Sequence, residues 1–201
     1  MRTLAVQSSP PVHGRKPPDM LIARSPEECH LYMELRPCSC GEDGFTWSRH
    51  RQERRGDRLV SVYQGHCSRC SAQRRFEFEV PAVPPPPPAY GGAEPSRIVD
   101  PGEFYAVSAE LAESVPDDPA TLAPDDLDEA YGLIEMSVAA LAEVLKFVPA
   151  GADAVSPDAF FTPDGRRVYQ AHPAEFGRDR LEALLADRRR RLDAYERASS
   201  R

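Results

Sequence analysis

Four of the chain's five cysteines stand in two tight pairs, Cys38-Ser39-Cys40 followed by Gly41, and Cys67-Ser68-Arg69-Cys70. The residues between them read as a strand, a charged turn and a second strand. Two sulfur pairs held by turns at neighbouring hairpin ends supply the four soft ligands of a tetrahedral Zn²⁺ without needing a large core. The expected role of such a metal is structural, because four protein ligands leave no position open for substrate. Two unrelated pairs of reduced thiols are the plain alternative. A thioredoxin-like role for Cys67 and Cys70 lacks the expected βαβ setting. Cys29, His30 and His66 are spare donors. Cys29 is expected to pack as a small apolar residue, and His66 to serve as a strand residue or as a support to the ligands.

The pattern around the pairs is strand-like. Phe45, Trp47, Arg49 and Arg51 alternate onto one face, Arg55-Gly56-Asp57 turns the chain, and Leu59 to Tyr63 returns. After the second pair, Arg74, Phe76, Phe78 and Val80 alternate with Arg75, Glu77 and Glu79, which predicts a third strand with one apolar and one charged face. A short helix should precede the sheet. Ser25-Pro26-Glu27-Glu28 carries an N-cap, a proline at the first helical position and a capping-box acid, while Pro37 stops the helix before Cys38.

Two knuckles at the end of a small antiparallel sheet resemble the zinc ribbon family over about residues 36–80. The resemblance implies Cys38, Cys40, Cys67 and Cys70 as the metal ligands. In one respect the chain departs from the family: its first knuckle has a single residue, Ser39, between the cysteines where two are usual, which changes the amide hydrogen bonds to sulfur.

Proline sets the organisation of the rest. The chain has 21 prolines in 201 residues, clustered at Pro10 to Pro18 and Pro81 to Pro95, and such clusters mark boundaries. The expected division is a disordered leader over residues 1–19, a zinc-ribbon domain over 20–80, a proline-rich linker over 81–97 acting as a spacer, and a mainly helical domain over 98–201. The fold class is therefore α+β: a short helix, a small antiparallel zinc-ribbon sheet, a linker and a helical C-terminal part. In that part Asp100-Pro101-Gly102-Glu103 starts a helix with Phe104, Val107, Leu111 and Val115 on one face. A longer helix runs from near Pro124 to about Val148, apolar over so wide an arc that a central place in the bundle is expected. Pro163-Asp164-Gly165 signals a turn, read as the tip of a small hairpin containing Val168 and Tyr169. His172-Pro173 reads as a cap before a last helix over about 174–198, which contains four consecutive arginines, Arg188 to Arg191.

Charge bears on function. Residues 1–90 hold 13 basic and 10 acidic side chains, net +3; residues 98–165 hold one basic against 15 acidic, net −14; residues 166–201 are net +4. An acidic middle opposes nucleic-acid binding by the whole protein. Arg49, Arg51, Arg54, Arg55, Arg58, Arg74 and Arg75 nevertheless offer phosphate contacts, and Trp47 or Tyr63 a stacking surface. No phosphate-cradling glycine loop, nucleophile elbow or His-Glu-x-x-His is present. The expected function is that of a non-catalytic zinc-binding protein that binds other proteins, as an adaptor, an inhibitor or an immunity-type protein. A nucleic-acid-binding ribbon is the alternative. No secretion signal and no membrane-length apolar run is read in the sequence, so a cytoplasmic location is expected. Lysine occurs only at Lys16 and Lys146, an arginine bias expected of a GC-rich bacterial genome.

Overall fold

A computed structural model of the chain describes residues 20–43 and 45–199. The expected leader, 1–19, lies outside them. The order of elements is β1 (Leu21–Ile22), α1 (Pro26–Glu34), β2 (Trp47–Arg55), β3 (Arg58–His66), β4 (Gln73–Val80), α2 (Pro101–Glu113), α3 (Pro124–Leu145), α4 (Pro163–Ala171) and α5 (Arg178–Ser199). The protein is thus α+β, with a helix before the main hairpin strands of the sheet and the helices of the C-terminal part as expected.

The sheet has four strands rather than three, in the order β1-β4-β3-β2. The extra strand, β1, lies parallel to β4, with Leu21 beside Phe78 and Ile22 beside Glu79. Two residues are too few to show a period of two, which is why the sequence pattern does not reveal it. An irregularity of register between Trp47 and Arg49 alters the expected face of β2: Trp47 sits opposite Gly65 and Arg49 opposite Gln64. The extra residue turns the alternation over. His50, not Arg49, consequently shares the Trp47 side, and its ring stacks on Tyr63 at 4.3 Å.

The two faces of the sheet are covered differently. Phe76, Phe78 and Tyr63 lie under α1, whose Tyr32 meets Phe76 and Phe78 edge-on at 6.2 and 5.6 Å. On the opposite face Val60 and Val62 are fully buried, although their cross-strand neighbours are Glu53, Arg51, Glu79 and Glu77. Arg55 joins Glu53 and, at 2.6 Å, Glu77; Arg51 reaches Glu53 at 3.0 Å, and Arg75 also holds Glu77. The aliphatic stems of these long side chains can cover apolar surface while their heads stay wet.

In the C-terminal part α3 is central, packing on α2 and α5. Its buried line is Ala130, Ile134, Ser137, Ala140, Leu141 and Val144, midway across the wide apolar arc. Ser137 fits because α2 approaches closely there: Ser108 Oγ donates to the Ser137 carbonyl at 2.8 Å, and Ser137 Oγ donates in return to the Ser108 carbonyl at 2.7 Å.

Pro163-Asp164-Gly165 opens helix α4 instead of tipping a hairpin. Thr162 is the N-cap, its hydroxyl accepting from the Gly165 N–H at 3.0 Å, and Pro163 at the first helical position has its ring angle already suited to a helix. The last helix likewise starts later than expected, at Arg178, after a 3₁₀ turn over Pro173–Phe176.

Residues expected to form a spacer pack inward. Tyr90 is buried and meets Phe104 of α2 at 5.4 Å, while Ser25 Oγ donates to the Tyr90 carbonyl at 2.8 Å. One contiguous apolar core holds Cys29, Met33, Tyr63 and Phe78 from the sheet and α1 and Phe104, Leu141, Val144 and Phe176 from the helical side. Polar links cross the same seam: Arg24 pairs with Glu28 at 2.6 Å and with Glu143 of α3 at 2.9 Å, and Arg36 with Glu103 of α2 at 2.7 Å.

Candidate metal centre

The two cysteine pairs sit at one end of the sheet, the first between α1 and β2, the second between β3 and β4. Each is shaped by a residue in the left-handed region directly after its second cysteine: Gly41 at φ +82° and Ser71 at φ +59°. In the first knuckle the Gly41 N–H donates to the Cys38 carbonyl at 2.8 Å and the Cys38 N–H to the Glu42 carbonyl at 2.9 Å. In the second, the Ser71 N–H donates to the Cys67 carbonyl and the Cys67 N–H to the Ala72 carbonyl, both at 2.9 Å. The turns are closed in the same way although one is a residue shorter, so the tight Cys38-x-Cys40 spacing still presents two sulfurs. A side-chain bond joins the knuckles, Ser68 Oγ donating to Glu42 at 3.2 Å.

All four Sγ atoms lie within 4.8 Å of one another, with Cys38 to Cys70 and Cys40 to Cys67 each at 3.6 Å. Tetrahedral ligands at the usual zinc–sulfur length are about 3.8 Å apart, so the four sulfurs fit a zinc ion with little movement. Cys38 and Cys67 are buried and Cys40 and Cys70 exposed, and none is in a disulfide.

The thiols share protons unequally. The Cys40 backbone N–H and hydrogen bonds from the other thiols draw Cys38 down to about 6, outweighing burial. Cys40 goes the other way, to about 12: although the Glu42 backbone N–H favours its thiolate, burial and its three sulfur neighbours favour the thiol. Within the first knuckle Cys38 therefore gives up its proton readily, while Cys40 keeps its own until a cation compensates the charge.

The spare donors are elsewhere. Cys29 is fully buried in the core, where burial pushes its thiol up, as suits an unreactive apolar filler. His30 stacks on Trp47 at 4.8 Å. His66 is exposed and outside the four-sulfur group, which among the described residues is the sole cluster of three or more metal-ligating side chains.

The residues expected to touch nucleic acid separate into three kinds. Arg51, Arg55, Arg58 and Arg75 each pair with Glu53, Glu77 or Glu79. Arg74 donates to the Arg36 carbonyl and lies over the Phe45 and Phe76 rings. Arg49 and Arg54 are exposed without an ion pair among the described residues. Tyr63 is 2 % exposed and cannot stack on a base, whereas Trp47 is 37 % exposed. Comparison of the chain with family models, curated proteins and solved structures gives no match.

Proposed function

We propose that the protein is a non-catalytic, zinc-stabilised bacterial protein that works by binding other proteins, as an adaptor, inhibitor or immunity-type protein in the cytoplasm. The observation that carries the metal half of this reading is the convergence of four sulfurs from two knuckles within 4.8 Å. A closed set of four thiolates suits zinc held for structure, with its binding energy driving folding. Among the described residues no helix is long and apolar enough to cross a membrane.

Support for a protein rather than a nucleic-acid partner comes from charge. Four of the hairpin arginines already face glutamates on the same sheet, and a phosphate would have to displace those carboxylates. The second reading rests on Arg49, Arg54 and the half-exposed Trp47, a small basic and aromatic edge. Elemental analysis of reduced, freshly purified protein tests the metal: about one zinc per chain is expected, and metal-free protein with Cys38, Cys40, Cys67 and Cys70 all reactive would end the reading. Binding to oligonucleotides across a salt series separates the partners. The expected result is weak binding at low salt and none near physiological salt, alongside recovery of a protein partner. Tight, steeply salt-dependent binding lost in Arg49→Glu with Arg54→Glu would instead select nucleic acid.

A further inference from the structure

The four consecutive arginines of α5 do not act alike. Arg189 and Arg190 face solvent, and Arg190 pairs with Asp187 at 2.8 Å. Arg188 and Arg191, three residues apart and so on one helix face, turn toward the end of α2. Arg191 has a side chain only 14 % exposed. It donates to the carbonyls of Val115 and Pro116 and stands 3.4 Å from Asp117, which accounts for it as a cation serving the negative end of α2. Arg188 has no such account. It is half-buried, and among the described residues no carboxylate lies within 4 Å of its guanidinium. Its Nε is shut off from solvent without an acceptor, and so is that of Arg191.

A guanidinium, even half-buried, cannot shed its charge to relieve this cost. Burial, then the nearby Arg191, make the charged form of Arg188 less favourable than usual, against the pull of Tyr105, Asp187 and Glu113. Both arginines line an open groove of about 490 Å³, large enough for a small molecule, whose walls include Ala112, Val115 and Leu184. Three acids, Glu113, Asp117 and Asp187, also line it.

We propose that this groove is a binding site for a small organic carboxylate with an apolar tail, the carboxylate received by Arg188 with Arg191 behind it and the tail lying over Ala112, Val115 and Leu184. The planar guanidinium fork matches a carboxylate. The three acids oppose a doubly charged phosphate more than a single negative charge, and the apolar wall offers phosphate nothing.

Titration of the full-length protein with hexanoate, followed by amide chemical shifts, tests the site. Saturable shifts confined to the end of α2 and to α5 around Arg188 are expected, with inorganic phosphate binding at least about tenfold more weakly, a difference of about 1.4 kcal/mol. Arg188→Met, which keeps the stem and removes the charge, should lose hexanoate binding by about tenfold or more without lowering the melting temperature, because the half-buried guanidinium makes no ion pair within 4 Å among the described residues for the fold to lose. No saturable binding by the wild-type protein, phosphate binding as tightly as hexanoate, or hexanoate binding unchanged in Arg188→Met would each overturn the proposal. So would a fall in melting temperature or failure to fold in Arg188→Met, since the guanidinium would then be structural.

Discussion

Asp100 shows how much one side chain can join. It is fully buried. One carboxylate oxygen accepts from the N–H groups of Gly102 and Glu103 at 2.9 and 3.0 Å, capping α2; the other accepts from the Thr162 N–H at 2.8 Å and hydroxyl at 2.6 Å, where α4 begins. Two helix N-termini, each partly positive, thus converge on one anion. Asp100→Ala would strip a cap worth about 1 kcal/mol and orphan buried donors at about 1–3 kcal/mol. A loss on the order of 3 kcal/mol in urea denaturation is expected, and a loss under about 1 kcal/mol would show that water substitutes for the carboxylate. Gly165→Ala should also destabilise, because a Cβ there would run into the Asp100 carboxylate. Half of this is legible in the sequence. The Asp100-x-x-Glu103 box is a local pattern, and its reciprocal bond, Asp100 N–H to Glu103 at 3.1 Å, is present. The link to Thr162 joins residues 62 apart, and no local pattern carries it. A second residue-scale test lies in the first knuckle. A Cβ at Gly41 would point into open space, so Gly41→Ala meets backbone strain alone, about 1–2 kcal/mol for an L-residue in the left-handed region. Zinc competition should show affinity lowered by about tenfold; unchanged affinity would mean that the turn relaxes at no cost.

Among the elements, the hairpin and its partner strand are readable because a period of two survives wherever one face is buried. Their limits are not. The bulge after Trp47 reverses the faces of β2, and β1 is recruited by pairing rather than by pattern, the Ala23 N–H reaching the Glu79 carbonyl at 2.9 Å. Helix α4 escapes the pattern because Pro-Asp-Gly is chemically a turn as well as a first helical turn; the Thr162 cap and the fit of Gly165 against Asp100 decide between them. The charged face of the sheet yields a test. The Arg55 hydrogen bond, opposed by burial and aided by Arg75, holds the Glu77 carboxyl down at about 2. A carboxylate whose value falls on folding adds stability above its unfolded value, near 4.3, and that contribution fades as pH drops toward 2. Glu77→Gln should therefore melt lower than the wild-type protein at pH 6, with the gap closing between about pH 4 and 2 and narrowing in 1 M salt. Comparing the two proteins at each pH cancels any effect of acid on the thiols. A gap independent of pH would mean that Glu77 acts by packing.

At the scale of the whole molecule, the four-cysteine site and the helices are connected by a short route. Arg36 stands two residues before Cys38. Its guanidinium donates to Glu103 at 2.7 Å and to the Ile98 carbonyl at 3.3 Å; Glu103 completes the capping box of Asp100, and Asp100 holds Thr162 at the start of α4. Arg74, just past the second knuckle, donates to the Arg36 carbonyl. Proline composition around residues 81–97 suggests a spacer, since it reports only that this segment forms neither helix nor ladder; the burial of Tyr90 and the shared core depend on residues far apart in the chain. Loss of metal should therefore be felt beyond the sheet. Thermal unfolding followed separately by sheet and by helix signals is expected to give one coincident transition, and a strong chelator should shift it down as a unit, the stability lost being RT ln(1 + [L]/Kd) for the ligand removed. Arg36→Ala would leave Glu103, 3 % exposed, as a buried charge without its partner, destabilising by about 3 kcal/mol. It should also shrink the chelator's effect on the helical signal relative to that on the sheet. Two separate transitions in the wild-type protein, only the first sensitive to chelator, would show that the halves fold independently despite the core they share.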